Sequence, residues 1–385
     1  MREKDTFFRI GFVALLTVLF LLTCFDSASR AKQDRIESSG FFKQFRSFST
    51  FPDSVSWEKS APQVKTIGIE SSADSTVQPA LFYDSGTDHK KPLLVVLHSW
   101  SDNYRQKYSI PYGVWSVAND WVFIHPDYRG VFNNPKATGS ELAVRDILDA
   151  VEYAEKNAKI DPSRIYLVGF SGGAMMALVM AGRYPELWTA VAAWVPIFNL
   201  KDWYPYVSRF PNRHYRGHII ASCGGEPRNG SAAEEECNRR SPSTYVKNAK
   251  GKKLRIYIGH GIHDDFAQPG NSLEAYNELA KTEDRIPEEA IKYIDSKGEL
   301  PGDLAGDYFD ESYQDAGKPL LFRRESENVT VSLFRGGHDV LYGVGLQWLS
   351  RQSKGENQEA KVSRCTCQEI VNHPRLFFSV AGRSY

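Results

Sequence analysis

Gly169, Phe170, Ser171, Gly172 and Gly173 place a serine among glycines, directly after the apolar run Ile165 to Gly169 and before a second apolar run. A serine hydroxyl can attack an acyl carbon once a neighbouring base takes its proton. The pattern G-x-S-x-G fits a sharp strand-to-helix turn: large flanking side chains would clash there, and glycines let the serine project alone. A helix starting at about Gly172 adds the positive end of its dipole near the reacting oxygen. A plain Gly/Ser turn has the same letters, but the buried strand before it and the buried helix after it favour a nucleophile. No Lys-Ser or Lys-Thr follows the glycines, which argues against a phosphate-cradling loop.

A nucleophilic serine needs a base, and the base needs an orienting acid. On a strand–turn–helix serine of this kind they follow in the order Ser, Asp or Glu, His. His338, in "FRGGHDV" directly after the apolar stretch "VTVSLF", is the candidate base. "RIYIGHGIHDDF" supplies Asp264 and Asp265, of which Asp264 is preferred as the acid. His260, His263 and Asp264 also have a metal-like spacing. Without a third distant ligand the two histidines read as loop-shaping, and no metal or cofactor is expected. The oxyanion requires two donors. One is the amide of Gly172; the other comes from the loop after "LLVVLH", so from Ser99 or Trp100. His98 reads as structural.

These residues need a scaffold. "VKTIGIE" and "VQPALFYDS" alternate in part, as edge strands do. Leu93 to Leu97, "WVFIHP" and Ile165 to Gly169 read as buried strands, a continuously apolar run being expected of a strand covered on both faces, and "WTAVAAWVPI", "KLRIYIGHG" and "VTVSLF" read as further strands. "ELAVRDILDAVEYAEK" puts Val144, Ile147, Leu148, Val151 and Ala154 on one helical stripe. Gly172 to Met180, "SLEAYNELA" and "VLYGVGLQWLSRQ" are further helices. Strands alternating with helices predict an α/β fold, a mostly parallel central sheet with helices on both faces. Two long stretches interrupt the alternation, about 198–250 and 282–328, and are expected to be lid-like insertions. Within or beside the first, Trp194, Trp203 and Tyr204 are candidate substrate-binding residues.

The motifs "LHSW", "HPDYRG", "DPSRIYLVGFSGGAMM", "HGIHDD" and "GGHD" together resemble the α/β-hydrolases of the prolyl oligopeptidase type, catalytic domain only, over about residues 91–352. The resemblance implies Ser171 as nucleophile, Asp264 as acid and His338 as base. Two features depart from it. Hydrolases of this type often carry glycine after the histidine of the oxyanion strand, and this chain has Ser99. The interval from Asp264 to His338 is long, which implies an insertion. The residues ahead of the first core strand are too few for a β-propeller, a single blade of which needs about 40.

The N-terminus begins with basic residues, continues with the apolar run Ile10 to Phe25, and then turns small and polar near Ala28 to Ala31. Residues 1–31 therefore read as a secretory signal or, uncleaved, as a membrane anchor. "LLTC" resembles a lipid-attachment site at Cys24 only faintly, because Thr23 fits it poorly. Residues 32–62 read as a polar linker, 63–352 as the catalytic domain and 353–385 as a C-terminal extension. Export favours disulfides among the remaining cysteines. Cys223 and Cys237 are expected to bridge locally, in a flap over the acyl pocket. Cys365-x-Cys367 is too tight for an easy mutual bridge, leaving other bridges, zinc and free thiols open.

A formal net charge of zero gives no reason to expect nucleic acid as a partner. With 42% hydrophobic residues the chain can bury a sizeable core. The reading is a secreted or periplasmic serine hydrolase acting through an acyl-enzyme. Its substrate is a small ester, an acylated carbohydrate or a peptide, with a carboxylic ester hydrolase preferred. The alternatives are a serine-type peptidase and, from another class, a non-catalytic hydrolase-fold binding protein.

Overall fold

A computed structural model describes residues 43–355. Residues 1–31, expected to be a signal or anchor, Cys24, Cys365, Cys367 and most of the expected C-terminal extension lie outside the described residues. Among the described residues, nine strands form one sheet: β1 (Lys65–Glu70), β2 (Val77–Tyr83), β3 (Lys91–Leu97), β4 (Val122–Pro126), β5 (Ile160–Phe170), β6 (Ala190–Trp194), β7 (Arg255–Gly261), β8 (Leu320–Ser326) and β9 (Val329–Phe334). Their order is β1-β2-β4-β3-β5-β6-β7-β9-β8. From β4 through β9 neighbours run parallel, while β1 and β2 at one edge and β8 at the other are antiparallel.

Every residue of β3, β4 and β6 is buried. Successive side chains of a strand point to opposite faces, so both faces of the sheet are covered. The longer covering helices are α1 (Ile110–Ala118), α2 (Glu141–Asn157), α3 (Gly172–Arg183), α4 (Leu200–Val207), α5 (Tyr215–Cys223), α6 (Ala232–Arg239), α7 (Gly270–Leu279), α8 (Glu288–Lys297) and α9 (Tyr342–Ser350). Helix α2 starts where the Ser140 hydroxyl accepts the Ala143 amide, and it buries Val144, Ile147, Val151 and Ala154 as their spacing predicts. Helix α3 is buried from Gly172 through Gly182, so it runs through the core rather than along the surface.

Two boundaries differ from the sequence reading. The segment 282–328 is not wholly an insertion, because its last part is β8, paired with β9 through a tight turn at Glu327 and Asn328. Arg323, Arg324 and Glu325 mask this strand in the sequence; charge is tolerated there because β8 is an edge. The second correction concerns the expected linker. From Phe45 onward it is folded: Phe45, Val55 and Trp57 are buried. The Trp57 ring packs where a Cβ on Gly113 would lie 2.7 Å away, and its indole N–H donates to the Arg105 carbonyl at 3.1 Å. The first insertion contains α4, α5 and α6, and a disulfide joins Cys223 to Cys237 across α5 and α6, as expected.

Candidate active site

Strand β5 delivers Ser171 to the start of α3 with φ 57° and ψ −120°, a conformation costly for a residue with a side chain. Hydrogen bonds hold it there: its amide donates to the Trp194 carbonyl at 2.9 Å, and its carbonyl accepts the Met175 amide at 3.0 Å. The neighbouring glycines are required by close approach. A Cβ at Gly169 would lie 2.1 Å from the Gly173 carbonyl oxygen, and one at Gly172 would lie 2.7 Å from the Trp100 nitrogen.

Asp264 and His338 meet although they stand on loops after different strands. His338 Nδ1 lies 2.7 Å from Asp264 Oδ2. Nδ1 therefore carries a proton and donates it, which leaves Nε2 as the nitrogen able to accept one. The other acid oxygen takes the amides of Phe266 at 2.8 Å and Ala267 at 3.0 Å. His260 Nε2 lies 3.2 Å from Asp264 Oδ2 and 2.9 Å from the Ala267 carbonyl, while Nδ1 faces the Ser272 hydroxyl at 2.6 Å. Burial alone would push the Asp264 carboxyl up, but the charge of His338 and the hydrogen bonds from His260 and His338 hold it well below the usual carboxylate range. Asp265 points away; its side chain is 66% exposed and paired with Arg213. That geometry favours Asp264 over its neighbour as the partner of His338. His260 serves the acid loop and His263 is exposed, so neither is arranged as a metal ligand pair.

The two oxyanion candidates of the 99–100 loop separate cleanly. The Ser99 amide donates to the Gln106 side-chain oxygen at 2.7 Å and is spoken for. The Trp100 amide has no acceptor among the described residues and lies beside Gly172, at the helix end where amides lack intrahelical partners. The loop is braced from below. His98 stacks on Tyr128 at 4.1 Å, its Nε2 lies 2.6 Å from the Asp127 carbonyl, and the Tyr128 hydroxyl donates to the His98 carbonyl at 2.6 Å. Thus "HPDYRG" buttresses the 99–100 loop, and Gln106 and Tyr128 join the residues that support the candidate site. Neither was legible as such, since their roles depend on contacts across the fold.

The aromatic candidates divide. Trp194 is corrected: its side chain is fully buried against Tyr257 and Phe334, and Gly345 of α9 approaches its indole, so it packs the core and does not face a substrate. Trp203 is buried behind the site, where its indole N–H donates to the Phe266 carbonyl at 3.0 Å and its ring lies 5.2 Å from Trp100. Tyr204 sits among charged groups of the insertion, with Arg216 5.7 Å from its ring. Two rings not singled out as substrate-binding candidates do flank the candidate base: Phe170 and Phe266 each lie 5.1 Å from the His338 ring. The first insertion is bolted to this region. Arg213 pairs with Asp265, the Tyr206 hydroxyl donates to the Asp265 carbonyl at 3.0 Å, and the Trp100 indole donates to His218 at 3.2 Å. These ties describe a fixed wall rather than a loose lid.

Comparison with known proteins follows the same lines. The sequence model of a family described as the prolyl oligopeptidase family matches residues 134–292. A feruloyl esterase B of Thermothelomyces thermophilus is 24% identical over 52% of this chain and 68% of its own length. An acetylxylan esterase of Coprinopsis cinerea is 46% identical over a short stretch, 12% of this chain and 13% of its own. In three dimensions, an acylaminoacyl peptidase of Pyrococcus horikoshii superposes with a TM-score of 0.51 at 15% identity, covering 76% of this chain and 42% of that one. The chain thus spans less than half of that peptidase and a small part of the acetylxylan esterase. By its sheet and these matches, the chain has the α/β-hydrolase fold, and its residues 134–292 match the prolyl oligopeptidase family.

Proposed function

We propose that this protein is an exported carboxylic ester hydrolase working through Ser171, His338 and Asp264. The observation that carries the reading is the 2.7 Å bond between His338 and Asp264, with the His338 ring 5.1 Å from that of Phe170, the residue before Ser171 on its strained turn. Ser171 Oγ attacks the ester carbonyl carbon while His338 Nε2 takes the hydroxyl proton. The carbonyl oxygen becomes an oxyanion facing the amides of Gly172 and Trp100. The tetrahedral intermediate then breaks its bond to the alkoxide, which leaves with the proton held by His338, and Ser171 keeps the acyl group. Water, deprotonated by His338, repeats the sequence and releases the acid. Asp264 keeps the imidazole in the tautomer with Nδ1 protonated and stabilises its charged form.

Ester rather than peptide substrates are supported by the matches to a feruloyl esterase and an acetylxylan esterase, whose names point to feruloyl groups and to acetyl groups on xylan. The Cys223–Cys237 bridge supports export, with residues 1–31 as the signal or anchor.

The test is covalent capture. A fluorophosphonate should label the wild-type enzyme on the peptide containing Ser171 and leave Ser171→Ala unlabelled; labelling elsewhere would falsify the assignment. On the same preparation, kcat/KM for a small acyl ester should exceed that for a proline-containing peptide amide by at least about 100-fold, roughly 3 kcal/mol in transition-state binding. A peptide amide cleaved as well as the ester moves the protein to the peptidases.

A further inference from the structure

Beside the base lies an aromatic cluster that the mechanism does not use. Phe170 is buried and lies 5.1 Å from the His338 ring. Phe48 meets Phe170 at 5.0 Å and Tyr108 edge-on at 4.4 Å, and Phe51 meets Tyr108 at 5.6 Å. Phe48 and Tyr108 are only partly buried, so each ring keeps some exposed surface. Phe48 comes from far along the chain, on a strap fastened to the loop of the base itself. Its amide donates to the Val340 carbonyl at 3.1 Å, and Ser47 forms an antiparallel bridge with Leu341. The amide and hydroxyl of Ser49 donate to the buried Asp339 carboxylate at 3.0 and 2.5 Å, and Lys318 pairs with the same group at 3.2 Å. Asp339 directly follows His338.

The opposite flank is built differently. There the ring of Phe266 is covered by the Arg213 guanidinium at 4.3 Å, which leaves less open aromatic face. Half-exposed rings stacked outward from a base, on a strap clipped to that base's own loop, offer a surface that another ring would complete by offset or edge-on contact. Resting on the ester-hydrolase reading above, we propose that Phe48, Tyr108 and Phe170 form a recognition wall for an aromatic ring of the substrate, with Phe48 as its specificity-determining residue. The ring can arrive in the acyl group or in the leaving group, and the two are separable.

The experiment compares wild type, Phe48→Ala and Phe48→Tyr on methyl ferulate (ring in the acyl group), phenyl acetate (ring in the leaving group) and triacetin (no ring). In Phe48→Ala, the kcat/KM ratio of one aryl ester to triacetin should fall by about tenfold or more, as for a pocket deprived of a large apolar contact. Phe48→Tyr should restore most of it. The ester whose ratio falls names the side of the bond that the wall reads. An equal loss on all three esters would mean that Phe48 only holds the strap, and unchanged ratios would mean that no ring binds there; either overturns the proposal. Binding is read separately from turnover by titrating methyl ferulate and phenyl acetate onto Ser171→Ala with and without Phe48→Ala. There the second substitution should weaken binding of at least one of the two by about fivefold or more. If the wild type turns over no ester yet this difference in binding appears, the ester-hydrolase reading fails and the wall stands; if the difference is absent, the wall fails.

Discussion

Replacing Gly172 with alanine puts a methyl group between the two amides assigned to the oxyanion. The new Cβ would lie 2.7 Å from the Trp100 nitrogen and 2.8 Å from its Cα, both backbone atoms that cannot rotate away. Comfortable contact needs about 3.5 Å, so the gap between α3 and the Trp100 loop must open by roughly 0.7 Å. The loop resists moving alone: its carbonyl accepts the Phe132 amide at 2.9 Å and its indole donates to His218. Wherever the strain is absorbed, the two amides separate. An oxyanion donor set at about 2.9 Å would then stand near 3.6 Å, beyond a useful hydrogen bond. Losing one such donor costs about 100- to 1,000-fold in kcat, roughly 3–4 kcal/mol. Stability should suffer less. Overpacking costs about 1–3 kcal/mol, offset in part by alanine's advantage of up to about 1 kcal/mol over glycine in a helix. The assay is kcat and KM on triacetin at a temperature well below the melting point of the variant, with the melting curve as the folding control. KM should change little. A folded Gly172→Ala enzyme retaining kcat within about threefold of wild type would show that charge does not develop between these amides.

Four further outcomes are expected. Asp264→Asn should lower kcat by about 10⁴-fold by leaving the imidazole in the wrong tautomer, while Asp265→Asn, altering an exposed group, should cost less than about tenfold; steady-state rates of the two variants decide between them. Because the Asp264 carboxyl is held below its unfolded value near 3.9, its share of stability is present above that pH and lost as pH falls through the folded value. Denaturant titrations from pH 6 to about pH 3 should therefore show a flatter acid limb for Asp264→Asn. Ser171→Gly should be more stable than Ser171→Ala by about 1–3 kcal/mol in the same titrations, since only glycine adopts φ 57°, ψ −120° without strain; equal stabilities would mean that the turn stores none. Replacing Cys223 and Cys237 together by serine should cost about 3 kcal/mol, and peptide mapping of the unreduced protein should recover the linked pair.

What the sequence revealed and what it hid have physical reasons. Ser171, Asp264 and His338 were legible because each follows an apolar strand, and the loops after parallel strands gather at one end of the sheet. Trp194 follows the same rule yet fails. Its strand is buried on both faces, so the apolar run does not say which face a given side chain takes, and this one turns toward Tyr257 and α9. Strand β8 was hidden by its charges, which an edge tolerates. Ser99 and Trp100 were indistinguishable until Gln106, seven residues on, was seen to occupy the first amide. Phe45, Phe48 and Trp57 looked like scattered residues of a linker because what they pack against lies far away in the chain.

That distance bears on the order in which the molecule can be assembled. Ser49 and Asp339 are separated by 290 positions, so the strap leaves the ribosome long before the loop that receives it. Closing so large a loop has to wait until β9 and its neighbours have formed, because the ends gain nothing by meeting earlier. His338 arrives on the same late segment. The loop of His338 and the strap beside it are therefore completed in one closure.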